Sequence, residues 1–360
     1  MNRKKLIAFS ISLAMTVVPV TPAAAAGAEQ NTEGLQNAVL DLEFENSLED
    51  SSGKGNNGTL SSGEAEYVDG VVGKGLKMNG SSYVNLGNST DLQPENLTLS
   101  FWIRPDSDMK GEELISWNKN EWYTDGWYLS SENDNTPLTL SVGPAKTNGQ
   151  PYRVSVSGKR SEFLPTGEWT HIAVTYDKDS KEICFYRNGV KCSTVTTYGI
   201  SGESDATMEK SIGYNGPKYK GAYLKASLDE YQLYNDVATP EEVIALYEES
   251  GQTFDRKAVA QADLDKISIP ETTQENLSLP TTGESGSVIS WSSDNEAMVA
   301  ADGTVVRPGV GEKDVTVTLT AEASYLNGEK VTKTYKVTVT AKQEINITTS
   351  SIMGDVTLED

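Results

Sequence analysis

Three carboxylates fall at alternate positions in Asp41-Leu-Glu43-Phe-Glu45. Alternate residues of a strand share a face, so two such groups could flank one glycosidic bond as nucleophile and acid/base. Leu40, Leu42 and Phe44 form the apolar face of the same stretch, which therefore reads as a strand whose acids point outward or toward a metal. His171 is the single histidine and no Gly-x-Ser-x-Gly elbow accompanies it, so a serine-type triad is excluded and His171 reads as structural. The chain as given reads as non-catalytic.

Aromatic rings suggest a different chemistry, because sugars are held in water by aromatic faces against C–H faces, with a few polar groups for the hydroxyls. The densest cluster is Trp117-Asn-Lys-Asn-Glu-Trp-Tyr-Thr-Asp-Gly-Trp-Tyr128. Trp122 and Tyr123 sit in its loop between Glu121 and Asp125, and an exposed loop tryptophan is costly unless it binds something. Trp122, Tyr123 and Asp125 are therefore candidate ligand contacts. Tyr214, Asn215 and Tyr219, on a Gly-rich loop, form the second candidate surface. Trp127, Trp102 and Trp169 lie in strand patterns and are expected in the core.

The elements that must position these residues alternate apolar and polar at period two. The clearest stretches are Leu40-Asp-Leu-Glu-Phe-Glu-Asn-Ser-Leu-Glu-Asp-Ser-Ser-Gly53, Leu97-Thr-Leu-Ser-Phe-Trp-Ile-Arg104, Gly167-Glu-Trp-Thr-His-Ile-Ala-Val-Thr-Tyr-Asp177 and Ser227-Leu-Asp-Glu-Tyr-Gln-Leu-Tyr-Asn235. In that order they resemble the laminin-G-like jelly roll of the concanavalin A-like lectin/glucanase superfamily, over residues 36–250. Further strands are expected at 76–78, 83–86, 113–117, 127–130, 138–142, 152–157 and 183–186. A closing helix is expected after Thr239 as cap, with Pro240 in its first turn and Gly251 as its stop.

The resemblance implies glycan binding. It also implies a structural calcium held by oxygen ligands from the first and last strands and nearby turns. By position its ligands would be Glu43, Asp50, Asn57 and Asp229. Glucanases of the superfamily carry their catalytic carboxylates as Glu-x-Asp-x-x-Glu or a similar order. The string at Asp41 has the wrong order and lies where the jelly roll has its first strand.

From about 258 the texture becomes rich in Thr and Val, as half-buried strands prefer. Strands are expected at 263–270, 276–279, 287–294, 300–308, 315–321 and 332–340. Ile289-Ser-Trp-Ser-Ser-Asp294 and Asp302-Gly-Thr-Val305 resemble a bacterial immunoglobulin-like domain of the atrophied type, over 258–342, with Trp291 in its core and a short linker at 252–257. Leu279-Pro-Thr-Thr-Gly283 spells a sortase signal but is followed by a strand of this domain, so it reads as a strand end and turn. Residues 343–360 are expected to be a tail or the start of a further module. Gly354-Asp-Val-Thr-Leu-Glu-Asp360 is faintly similar to the opening of β-L-arabinofuranosidase-type catalytic domains. The fold class expected is all-β, a jelly-roll sandwich plus a smaller immunoglobulin-like sandwich.

Arg3, Lys4 and Lys5, an apolar run to Val20 and Ala23 to Ala26 form a secretory signal over 1–26, so the chain is expected to be secreted. No second hydrophobic run follows, so no membrane span is expected after cleavage. Removing the three basic residues takes the net charge from −22 to −25, which excludes nucleic acid and anionic lipid as partners. A polysaccharide or glycan is the partner expected, and the chain a monomer. Cys184 and Cys192 flank an Asn188-Gly189 turn. A two-residue turn would put them on opposite faces, and a three-residue loop would pair them and allow a disulfide. The reading preferred is a carbohydrate-binding module with an immunoglobulin-like spacer beside a glycoside hydrolase domain. The alternatives are an adhesion module, or a β-L-arabinofuranosidase-like glycosidase whose catalytic domain lies elsewhere.

Overall fold

The computed structural model describes residues 35, 38–93, 95–106, 113–119, 126–142, 152–196, 209–214 and 223–344. Among them nineteen strands form three sheets. In chain order the strands are β1 (Ala38–Leu42), β2 (Thr59–Leu60), β3 (Glu66–Asp69), β4 (Lys74–Asn79), β5 (Val84–Asn85), β6 (Leu97–Pro105), β7 (Glu113–Lys119), β8 (Gly126–Ser131), β9 (Thr139–Val142) and β10 (Tyr152–Ser155). They continue as β11 (Thr170–Tyr176), β12 (Glu182–Arg187), β13 (Val190–Thr196), β14 (Ser211–Ile212), β15 (Lys225–Tyr234), β16 (Thr272–Thr273), β17 (Val288–Ser293), β18 (Val315–Ser324) and β19 (Val331–Val339). Helices α1 (Arg160–Phe163), α2 (Pro240–Glu249) and α3 (Arg256–Asp265) complete the fold.

One sheet runs β13-β12-β11-β6-β15-β4-β3, with β1 also paired to β15; the facing sheet runs β10-β9-β8-β7-β14-β5-β2. Leu97, Leu99, Phe101 and Ile103 of β6 and Ile172 and Val174 of β11 fill the space between them, with Trp127 and Leu129 of β8 opposite. The Tyr231 hydroxyl, donating to Ser116 Oγ at 2.9 Å, ties the two sheets through that core. β6 is buried on its outer face too, because α2 covers it: Trp102 stacks on Tyr247 at 5.5 Å. Helix α2 starts with the expected cap, and Thr239 and Glu242 exchange hydrogen bonds as a capping box.

The second domain departs from its expected strand count. Its sheet is β16-β19-β18-β17, and among the described residues 276–279 and 300–308 contribute only an isolated bridge, Val299 to Val305. Residues 263–265, expected in a strand, end helix α3 instead. Asp255 caps that helix by accepting from Ala258 N at 2.9 Å, and Ala-rich composition with Val259, Ala260 and Leu264 buried on one side favours it. Trp291 is half-buried rather than fully in the core, with Nε1 donating to Pro280 O at 2.9 Å. Within Leu279-Pro-Thr-Thr-Gly283, Thr282 bridges to Val288. The segment is a strand-edge turn.

The linker is a packed element. Phe254 is 8% exposed and joins Ile244 of α2, Val259 and Leu264 of α3 and Tyr325 in one apolar cluster. The Asn188-Gly189 turn docks on it: a Cβ at Gly189, whose φ is +78°, would lie 2.8 Å from the Phe254 ring. Jelly roll and immunoglobulin-like domain are joined through this seam.

Candidate functional site

The motif Asp50-Ser-Ser-Gly-Lys-Gly-Asn-Asn57 closes an open strand edge. β1 pairs with β15 on one side only, and buried backbone groups on the other side need partners. Asp41 N donates to Asp50 Oδ1 at 2.9 Å, Asn56 Nδ2 donates to Val39 O at 2.7 Å, and Ser51 N donates to Asp41 O at 2.8 Å. Asp50 also accepts from Ser52 N at 2.9 Å, Ser52 Oγ at 2.8 Å and Asn56 N at 2.9 Å. Burial pushes the Asp50 carboxyl up, but these hydrogen bonds, led by the Ser52 side chain, hold it below the usual range. Asn57 Oδ1 accepts from Asp50 N at 2.8 Å.

Asp229 does similar work at a second turn. It is fully buried, and its Oδ2 accepts from Val71 N at 2.7 Å and Val72 N at 3.0 Å. A Cβ at Gly70 would overlap that oxygen, and one at Gly73 would overlap Glu45 Oε1, so both positions require glycine. Glu45 in turn accepts from Lys74 N at 3.2 Å. Burial raises the Asp229 carboxyl to about 6 against the pull of the Val72, Val71 and Glu230 amides, the last donating to Oδ1 at 3.0 Å, with Glu45 adding to the rise. The folded value lies above the unfolded one, so this group's contribution to stability is full below about pH 4 and is lost as pH rises through about 6.

The four residues expected to hold calcium therefore sit in different roles. Asp50 and Asn57 organise one turn, Asp229 clamps another, and Glu43 lies half-buried after β1. Among the described residues no group of three or more His, Cys, Asp or Glu side chains is arranged to hold a metal ion. The oxygens of Asp50 are already engaged by N–H and O–H donors of the turn. As placed, these residues do not fit a shared ion. The string at Asp41 is also committed: Asp41 is buried and accepts from Gln232 Nε2 at 3.3 Å, and Glu45 is at the turn just described.

His171 is buried on the outer face of the first sheet, 5.3 Å from Trp102 and 5.8 Å from Tyr247 between ring centroids, with Nε2 2.9 Å from Ser100 Oγ. Burial lowers its pKa to about 3. The unfolded chain binds a proton near pH 6.5 that the folded chain refuses, so this stability is full above 6.5 and is lost as pH falls toward 3. At pH 4 roughly 3 kcal/mol is expected to be gone. Urea unfolding at pH 7 and pH 4 checks this: His171→Gln should lose less stability across that interval than the wild type, by about that amount. Equal losses would show that the imidazole does not titrate on unfolding.

The aromatic cluster of the facing sheet is built on β5 and β14. Pairing of Val84 with Ile212 brings Tyr83 beside Tyr214, with ring centroids 5.1 Å apart. Tyr223, just before β15, stacks on Tyr214 at 4.3 Å and 8° and lies 6.5 Å from Tyr83, so the three rings form one cluster. Tyr214 is 6% exposed, so Tyr83 and Tyr223, both half-buried, present the accessible rings. Beside them Asn85 Nδ2 donates to Glu209 Oε1. Burial, then Glu209 and Tyr223, keep the Tyr83 phenol above its ordinary value and hence protonated. Tyr83 and Tyr223 escaped the sequence reading. The one signal for Tyr223 is that it and Tyr214 bracket a Gly-rich segment.

Trp122, Tyr123, Asp125, Asn215 and Tyr219 lie outside the described residues, as do 1–26 and 345–360. Trp127 and Trp102 are core as expected, 1% and 4% exposed. Trp169 is not: it is half-buried on the outer sheet face, lies across Gly75, and carries the Arg104 guanidinium 4.9 Å above its ring. Cys184 and Cys192 are both free. Arg187 pairs with Val190 across a two-residue turn, and a bulge after Phe185 sets Cys184 opposite Thr194, so no disulfide forms.

This two-sheet sandwich with a capping helix, followed by a reduced immunoglobulin-like sheet, defines the class of protein. Residues 78–244 match the concanavalin A-like lectin/glucanases superfamily, and residues 257–342 match the atrophied bacterial Ig domain. The chain is a concanavalin A-like jelly roll joined to an atrophied bacterial Ig domain. The chain is 38% identical to an alpha-L-arabinofuranosidase of Bifidobacterium longum subsp. longum over an alignment of 110 positions, covering 24% of this chain and only 10% of that protein. Domain 4 of an extracellular GH43 arabinanase from Geobacillus stearothermophilus, solved with arabinotriose, is 22% identical, with TM-score 0.47, covering 60% of this chain and 100% of its own. The binding domain of Paraclostridial Mosquitocidal Protein 1 is 23% identical, with TM-score 0.46, covering 59% and 52%.

Proposed function

We propose that this chain is a secreted, monomeric, non-catalytic carbohydrate-binding module, an accessory part of a polysaccharide-degrading glycoside hydrolase. The observation that carries the reading is the stack of Tyr83, Tyr214 and Tyr223 on the lectin-superfamily sandwich. Two partly accessible rings backed by a third form a rigid face for the C–H side of a sugar, and Asn85 and Glu209 supply polar groups beside it. Trp122, Tyr123 and Asp125 of the 117–128 loop would extend the ligand contacts, and Asn215 and Tyr219 lie one and five residues after Tyr214 in sequence. Similarity to a segment of an arabinofuranosidase supports arabinose-containing polysaccharides as the first ligands to try.

Calorimetric titration with arabinan and xylan oligosaccharides tests this. Tyr83→Ala and Tyr223→Ala are each expected to weaken binding about tenfold, which is about 1.4 kcal/mol per ring. Trp122→Ala reports whether the second loop shares the ligand. Unchanged affinity in both tyrosine variants, or no glycan binding by the wild type, would overturn the assignment.

A further inference from the structure

A cavity of about 360 Å³ opens at the seam between the two domains. Its walls come from residues 156–163 leading into α1, from the β12–β13 hairpin, and from the immunoglobulin-like side through Lys266, Glu284 and Ser285. Lys159, Arg187, Lys191 and Lys266 face it against only Glu162 and Glu284, on a chain whose net charge is −22. Two of the lysines are spoken for: Lys159 pairs with Glu162 at 3.0 Å and Lys266 with Glu284 at 2.7 Å. Lys191 has no ion-pair partner among the described residues, and it reaches across the seam to within 4.0 Å of where a Gly286 Cβ would stand. Arg187 is oriented by Nε donating to Phe163 O at 2.7 Å, with its guanidinium 5.9 Å from the Phe163 ring centroid. The cleft thus carries two uncompensated positive charges at its hairpin wall.

The shape and lining decide which anion fits. A volume in the range of small-ligand sites holds a sugar ring rather than a bare ion. Val156, Phe163 and Val190 offer apolar surface for C–H groups, and Ser157 and Ser285 offer hydroxyls. The volume and the apolar walls therefore favour a sugar that carries a carboxylate over bare inorganic phosphate. We propose that this seam cleft binds a sugar acid, a uronate residue free or at the end of an oligosaccharide, with its carboxylate on Lys191 and Arg187. The site is separate from the tyrosine stack and does not depend on it. Both domains supply walls, so occupancy would also hold the seam closed.

Cys192 lines the cleft and its thiol is free, which provides a local readout. In a Cys184→Ser background of the full chain, the alkylation rate of Cys192 by iodoacetamide would be measured against D-galacturonate, its trisaccharide, D-galactose and inorganic phosphate, with calorimetric titration of the same probes alongside. Galacturonate or its trisaccharide should slow alkylation several-fold and saturably, and added salt should weaken the protection. Galactose should give none. Lys191→Ala should raise the half-saturating concentration at least tenfold, and Tyr83→Ala should leave it unchanged. No protection and no heat with either uronate would overturn the proposal, as would equal protection by galactose. Protection by phosphate as strong as by galacturonate would reduce the cleft to a general anion site and overturn its sugar part. Neutral-glycan binding that still depends on Tyr83 would survive any of these failures, so the two assignments stand or fall separately.

Discussion

Asp50→Ala is expected to destabilise the jelly roll by about 3–4 kcal/mol, as two or more amide donors lose their acceptor in a partly buried place. For a domain of this size that corresponds to a melting temperature lower by roughly 10 °C. The carboxylate accepts four hydrogen bonds, from Asp41 N, Ser52 N, Ser52 Oγ and Asn56 N. Its loss also frees Asn56, whose side chain covers Val39 O. β1 then has an unsatisfied edge while still burying Leu40 and Leu42. Thermal melts of wild type and variant, each with and without chelator, check two things at once. The variant should melt lower in both conditions, and chelator should leave the wild type unmoved, because the Asp50 oxygens are engaged by protein donors. A wild-type melt that drops with chelator to the level of the variant would show that a cation, not the amide set, organises the turn.

The fate of Asp50 shows where sequence reading succeeds and where it stops. The strong strands were legible because burial on one face imposes period two; the alternating stretch at 167–177 contains β11. Trp127 was placed correctly for the same reason, whereas Trp102 is buried on the opposite face of β6 because helix α2 covers it. Short strands such as β2 and β14 were not legible, since two residues carry no periodicity and are strands only by their neighbours. Helix α3 was misread because Ile267 and Ile269, just beyond it, fall at period two, and the deciding cap at Asp255 is a local geometry. Carboxylate roles were the least legible. Asp50 and Asp229 stand where the resemblance implies metal ligands, but whether an oxygen meets an N–H or a cation depends on loop backbone direction. The Tyr83–Tyr214–Tyr223 stack joins residues 140 apart in sequence through the β5–β14 pairing, and no single segment announces it.

Phe254→Ala should separate the domains' unfolding. Wild type is expected to melt in one transition, because α2, the linker, α3 and β18 share an apolar cluster centred on this ring. Phe254 meets Tyr247 edge-on at 6.2 Å and Tyr325 at 6.0 Å, and the Asn188-Gly189 turn rests on it. Truncating a buried phenylalanine costs about 3–5 kcal/mol. Here that cost falls on the seam, while most of each domain's own core is left intact. Interfaces of this kind set whether neighbouring domains move independently. Calorimetry should therefore show two transitions in the variant, the immunoglobulin-like domain unfolding first, since its four-stranded sheet has the smaller core. Small-angle scattering should show a larger radius of gyration before any unfolding. Gly189→Val attacks the same contact from the hairpin side, where a side chain would strike the ring, and should reproduce both effects in weaker form. A single undisplaced transition in Phe254→Ala would mean the seam contributes no coupling. The immunoglobulin-like domain would then be a free spacer, and a cleft whose walls come from both domains could not be held open to a ligand.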